Sequence, residues 1–223
     1  MEEQAVCKVS YTRLKDLALE NRELYSYQKK LAMWMLKQSF LDFFQMELKE
    51  EAVGRTSYGK PYYKEAENCY FNISHCRQAV CVAVCRYPVG VDVESMRKVS
   101  LPAVRKCCSK RELQYVFADR QMYSCDQQLS LEGTKRFLHL WTLKESYVKM
   151  TGEGIRMPLN TIDFALGVVS DRQKPFTVLK SGEKDSTSSL YLENELIMAL
   201  SIKKGNIGTG REIIWQEYDM PAW

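Results

Sequence analysis

Histidine is nearly absent from this chain: among 223 residues only His75 and His139 occur. That argues against a zinc centre built on imidazoles. The eight cysteines contain no C-x-x-C pair. Cys107 and Cys108 are adjacent, and Cys81 and Cys85 stand in an apolar run. Buried free thiols are therefore expected, rather than disulfides or a thiolate cluster. No apolar stretch reaches the roughly 18 residues that a membrane-spanning helix requires. The opening Met1-Glu2-Glu3 has neither the basic nor the apolar part of a secretory leader. These absences predict a soluble, cytoplasmic protein. A dense Lys/Arg block is also missing, which disfavours nucleic acid as a partner. The net charge of +4 is a mild bias, suited to an acidic partner or a phosphorylated ligand.

What is present is ordinary globular material. Hydrophobic residues make up 45% and charged residues 27%, so a packed core is expected. The length suits one large domain or two small ones packed together. Residues 27–48 contain no Gly or Pro, and Met33, Leu36, Phe40 and Phe43 recur at helical spacing, with Trp34 and Leu41 widening the apolar face. Ala79 to Cys85 is a continuous apolar run typical of a buried strand. After Tyr87-Pro88, the segment Val89 to Glu94 alternates: valines on one face, Gly90, Asp92 and Glu94 on the other. Ser109-Lys110-Arg111-Glu112 fits a capping box that opens a helix. Residues 119–134 are polar and read as a loop. A second long helix is expected over 135–151, with Gly152 as its left-handed cap. Leu196 to Ile202 is the clearest late strand. Each half of the chain thus carries a long helix followed by a strand, without a detectable sequence repeat.

Four groups of residues can carry chemistry. Asp92 and Glu94, at i and i+2 on a strand, project to one side about 6–7 Å apart. They fit either a solvated strand edge or a hard divalent cation, since magnesium takes one or two carboxylates plus phosphate and water oxygens. Glu145 and Lys149 share a helix face, with Trp141 one turn earlier. They fit a surface ion pair, or a third carboxylate beside a phosphate-facing ammonium. Ser74-His75 follows a strand-like run. It fits a turn, a pair of phosphate contacts, or a hydrolase nucleophile and base, although no G-x-S-x-G elbow surrounds Ser74. Gly59-Lys60-Pro61 reads alone as a turn with an exposed lysine. Gly152-Glu153-Gly154 follows a helix instead of opening one, so it is not a phosphate-cradling loop.

The order of these pieces is more specific than any one of them. Gly59-Lys60-Pro61, Phe71-Asn72-Ile73-Ser74-His75, Gly90-Val91-Asp92-Val93-Glu94 and Trp141-Thr142-Leu143-Lys144-Glu145-Ser146-Tyr147-Val148-Lys149 resemble, in sequence order and spacing, the Sfp-type 4′-phosphopantetheinyl transferases. Gly152-Glu153-Gly154 and Pro158-Leu159 extend the match, which covers roughly residues 27–205. The resemblance implies an α+β fold, a pseudo-dimer of two similar halves with the active site in the cleft between them. Residues 1–89 would form the nucleotide-contacting half, and 90–223 the half with the metal site and catalytic helix. It implies transfer of the 4′-phosphopantetheine arm of coenzyme A to a serine of an apo acyl or peptidyl carrier protein, with 3′,5′-ADP released. Asp92, Glu94 and Glu145 would bind Mg2+. Glu145 would take the serine proton, and Lys149 would steady the transferring phosphate. Ser74 and His75 would contact phosphates of coenzyme A, and Lys60 would lie along the nucleotide. Lys29 and Lys30, and less so Arg22, would hold its 3′-phosphate. A fold that contains its own two halves is expected to act as a monomer. The alternatives are a non-catalytic module that binds coenzyme A or a carrier, and a Ser/His hydrolase.

Overall fold

A computed structural model of the chain describes residues 5–14, 17, 19–118, 129–164, 173–176, 186–203 and 213–221. The elements in order are β1 (Cys7–Arg13), α1 (Asn21–Phe44), β2 (Val53–Arg55), β3 (Pro61–Tyr63), β4 (Tyr70–Cys76), β5 (Ala79–Cys85), β6 (Val89–Ser95), α2 (Leu101–Cys107) and α3 (Lys110–Val116). They continue with α4 (Leu131–Thr151), β7 (Gln173–Phe176), β8 (Thr187–Glu193), β9 (Leu196–Ile202) and β10 (Ile213–Glu217). Among the described residues two four-stranded sheets form, ordered β10-β1-β5-β4 and β6-β9-β8-β7, with β2-β3 as a separate hairpin. The fold is mixed α+β.

Strand alternation decides the layering. Val80, Val82 and Val84 of β5 pack with Leu31, Met35, Leu36 and Phe40 of α1. The opposite face, Ala79, Cys81, Ala83 and Cys85, packs with Val89, Val91 and Val93 of β6 and with Met198 and Leu200 of β9. The far face of the second sheet carries α4 through Leu140, Leu143 and Tyr147. The two sheets therefore lie face to face, with α1 outside one and α4 outside the other. Burying both faces explains why β5 and β9 read as unbroken apolar runs. The described cysteines are free thiols, and Cys7, Cys81 and Cys85 are buried between the sheets. No described helix is long and apolar enough to cross a membrane.

Several boundaries differ from the sequence expectation. α1 ends at Phe44, and Gln45 adopts a left-handed φ of 56°. A glycine would have announced such a stop; a glutamine does not. Leu41 is 48% exposed, because its neighbour Phe40 lies on the buried face and the next residue turns away by about 100°. α4 starts at Leu131, capped by Ser130, whose hydroxyl accepts the Gly133 N–H at 3.0 Å. Gly133 stands where a capping-box Glu would have marked the start. Residues 119–128 of the expected loop lie outside the described residues. α2, which begins with Leu101-Pro102 and is too short to show periodicity, was not anticipated. The capping box at α3 is formed: Glu112 N donates to Ser109 Oγ at 3.2 Å and Ser109 N to Glu112 Oε2 at 2.8 Å. β6 begins at Val89, and the late strand β10 runs parallel to β1 as the outer strand of the first sheet. Residues from beyond position 90 thus complete that sheet.

Candidate active site

β6 sits at an edge of the second sheet, beside β4 at an edge of the first. No backbone ladder joins them. Side chains of β4 supply the missing acceptors: Val91 N donates to Asn72 Oδ1 at 2.9 Å and Val93 N to Ser74 Oγ at 3.3 Å. Buried edge N–H groups left unpaired would be costly. Asn72 and Ser74 therefore stitch the two sheets together, and the seam holds Asp92.

Gly90 brings the helix to this seam. A Cβ there would lie 2.0 Å from the Ser146 carbonyl oxygen and 2.3 Å from the Met150 nitrogen. Only a residue without a side chain lets α4 approach so closely. Behind the contact, Ser146, Ser201 and Ser188 form a buried hydroxyl chain between α4, β9 and β8. At this separation Lys149 Nζ donates to Asp92 Oδ1 at 2.6 Å and to Ser74 Oγ at 2.9 Å. Ser74 Oγ in turn donates to Asp92 Oδ1 at 2.8 Å.

Asp92 is 5% exposed, and its second oxygen, Oδ2, is buried without a hydrogen-bond partner among the described residues. Burial holds its carboxyl above the usual carboxylate range. Lys149 and Ser74 pull the other way, and Glu94 adds to the rise. Glu145 is half-buried. Burial raises its carboxyl first and the Asp92 charge second, with Lys149 opposing and Glu94 contributing least. The charges of Asp92 and Glu94 thus both reach Glu145. Glu94 accepts two hydrogen bonds from Arg97, both at 3.1 Å, and one from Trp141 Nε1 at 2.8 Å. In this arrangement no three His, Cys, Asp or Glu side chains among the described residues form a cluster able to hold a metal ion. Asp92 and Glu94 face cations of the chain itself.

A cleft of about 820 Å³ opens beside the seam. Lys60, Glu145 and Lys149 line it, together with Asn72, Trp141, Lys106 and Cys107, and with Met157, Pro158 and Leu159 after α4. The Gly59-Lys60-Pro61 turn is less of a free surface turn than its sequence suggests. Lys60 Nζ donates to Met150 O at 2.7 Å and to Val89 O at 3.1 Å. Burial lowers its pKa to about 8. A cation at the last carbonyls of α4 also meets the negative end of the helix dipole. Gly152, with φ 77°, closes the helix directly over the Lys60 side chain.

The remaining expected residues lie away from this cleft lining. Ser74 is buried in the seam. His75 is exposed, with its ring edge-on to Tyr25 at 5.7 Å. Partial loss of hydration lowers its imidazole pKa, with the Lys149 charge adding. As strand neighbours, Ser74 and His75 point to opposite faces and do not form a nucleophile–base pair. Lys29 and Lys30 are exposed on α1, with Lys29 Nζ 5.6 Å over the Tyr25 ring. Lys144 is fully buried against Glu112 and donates to the carbonyls of Cys107 and Leu159, which both line the cleft. Sequence reasoning gave no role to Asn72, Arg97 or Lys144. Asn72 was visible inside a motif, whereas Arg97 had no signal beyond standing three residues after Glu94.

Residues 88–201, half of the chain, match the family model described as the 4′-phosphopantetheinyl transferase superfamily. The chain belongs to that family. A 4′-phosphopantetheinyl transferase of Bacillus subtilis is 34% identical over 113 residues, covering 51% of this chain and 46% of the relative. The 4′-phosphopantetheinyl transferase Sfp of Bacillus subtilis is 31% identical over 123 residues, 55% of this chain and 51% of the relative. The 4′-phosphopantetheinyl transferase gsp of Aneurinibacillus migulanus is 24% identical over 183 residues, 82% of this chain and 66% of the relative. The chain spans about half the length of the first two of these.

Proposed function

We propose that this chain transfers the 4′-phosphopantetheine arm of coenzyme A to a serine of an apo acyl or peptidyl carrier protein, releasing 3′,5′-ADP. The observation that carries the reading is the meeting of β6 and α4: Asp92, Glu145 and Lys149 converge beside a cleft large enough for a nucleotide-bearing ligand. The two helix-on-sheet layers are the two halves of a pseudo-dimer, divided near residue 89, with β10 returning to the first. The chain works as a cytoplasmic monomer.

Magnesium fits the residues present. Asp92 Oδ2 is a buried carboxylate oxygen without a partner among the described residues, and Glu94 and Glu145 add hard oxygen donors within electrostatic reach. These three would hold the ion, which when bound neutralises charge on the pyrophosphate. The chain's own residues do the rest. Glu145, lining the cleft, accepts the proton of the carrier serine, whose oxygen attacks the phosphorus nearest the pantetheine. The bond from that phosphorus to the oxygen of 3′,5′-ADP breaks. Lys149 steadies the charge spread over the transferring group. Lys29, Lys30 and His75 form the basic patch for the nucleotide's phosphates. Ser74 contributes by orienting Asp92, and Lys60 by fixing the wall along the nucleotide.

Mass spectrometry of an apo carrier incubated with the chain, coenzyme A and magnesium tests this. The carrier should gain one phosphopantetheine arm, and Glu145→Gln should slow the gain by about 10²-fold or more while retaining the native circular dichroism. Coenzyme A binding without any mass gain would favour the non-catalytic module. A Glu145→Gln variant as active as the wild type would overturn the base assignment.

A further inference from the structure

We propose that Arg97 is a competing counter-ion for Glu94 and sets how tightly the acidic site takes a divalent cation. This rests on the reading of Asp92, Glu94 and Glu145 as ligands of such an ion.

Glu94 is engaged on both oxygens. Arg97 Nε reaches Oε2 and Arg97 Nη2 reaches Oε1, each at 3.1 Å, a two-pronged guanidinium–carboxylate pair. Trp141 Nε1 takes Oε1 as well, at 2.8 Å, and the guanidinium lies 5.9 Å over the Trp141 ring. Three donors, two of them on one guanidinium cation, thus draw on the lone pairs that a hard metal ion would use. Arg97 cannot yield by losing its proton, because a guanidinium stays charged at any physiological pH. It must swing away. Its side chain is 45% exposed, whereas that of Glu94 is 16% exposed. Water can therefore receive the guanidinium with little loss of solvation, while the carboxylate stays in place, oriented by Trp141 from the rigid α4. Asp92 is arranged alike, with Lys149 as its resident cation. Each acid of β6 thus rests on a cation of the chain, and an incoming ion exchanges with the more exposed of the two.

Titration of the full chain with Mn2+ alone, followed by the electron paramagnetic resonance signal of the free ion, tests this without turnover. Arg97→Gln should bind Mn2+ about fivefold more tightly than wild type, the effect of removing a well-aligned, half-exposed ion pair. Arg97→Lys, which keeps the charge but not the fork, should fall between them. Lys98→Gln removes the same charge from the exposed next residue and should leave affinity within about 1.5-fold, because a solvated charge is screened. Equal affinities for Arg97→Gln and wild type, or equal gains from Arg97→Gln and Lys98→Gln, overturn the clamp. Glu94→Gln separates this from the underlying reading. If it abolishes binding while Arg97→Gln does nothing, the metal site stands and the clamp falls. If wild type binds no Mn2+, or binds it regardless of Glu94, the metal reading falls and the clamp with it.

Discussion

Replacing Gly90 by alanine should damage this protein twice, in stability and in turnover. The new Cβ would lie 2.0 Å from the Ser146 carbonyl oxygen, about 1.4 Å short of the 3.4 Å at which ordinary contact begins. The Met150 nitrogen, at 2.3 Å, leaves a similar shortfall. Both neighbours are helix backbone, so no rotamer change relieves the clash. Either α4 lifts from β6 or β6 bends away from the seam that Asn72 and Ser74 hold. Overpacking a core typically costs about 1–3 kcal/mol, and a clash against the backbone of a packed helix belongs at the upper end. A lift of about 1 Å also carries Lys149 out of its 2.6 Å contact with Asp92, and moves Glu145 with it. Misplacement on that scale costs about 10²-fold in rate. Urea unfolding reads the first effect. Carrier mass gain, at a temperature where circular dichroism shows the variant folded, reads the second. An unfolding free energy within about 0.5 kcal/mol of wild type, with turnover within about twofold, would refute the close-approach account.

Two further outcomes follow from buried groups. Lys144→Met leaves Glu112 uncompensated, with both side chains 1% exposed, and removes donors from the Cys107 and Leu159 carbonyls. A loss of about 3–5 kcal/mol in denaturant unfolding is expected, and a loss under 1 kcal/mol would show the pair to be dispensable. His139 has its pKa lowered to about 4, chiefly by burial and then by Lys135, and its Nδ1 has no hydrogen-bond partner among the described residues. Between pH 6.5 and 4 the unfolded chain therefore binds a proton that the folded chain refuses, so stability falls as pH falls through that window. Wild type should lose about 2 kcal/mol more than His139→Gln between pH 7.5 and 5, and parallel pH profiles would contradict this.

The amino-acid sequence determined the local pieces. The apolar runs at Ala79–Cys85 and Leu196–Ile202 are strands buried on both faces, announced by an unbroken β-prone apolar run, whereas Val89 to Glu94 is announced by its alternation. The Ser109 capping box and the Gly152 stop are likewise chemistry between residues a few positions apart. The candidate acids were legible for the same reason: i, i+2 on a strand and i, i+4 on a helix fix which residues share a face. Tertiary structure alone decided what those faces meet. That Lys60 would turn inward to the carbonyls of Val89 and Met150, that Ser74 and Asn72 would complete an open strand edge, and that Trp141 would donate to Glu94 depend on the approach of elements far apart in the chain. So does the return of β10 to the first sheet. A side chain's type states which bonds it can form. Which of them it does form is set by the groups that packing leaves without water, and those are known only once the layers have closed.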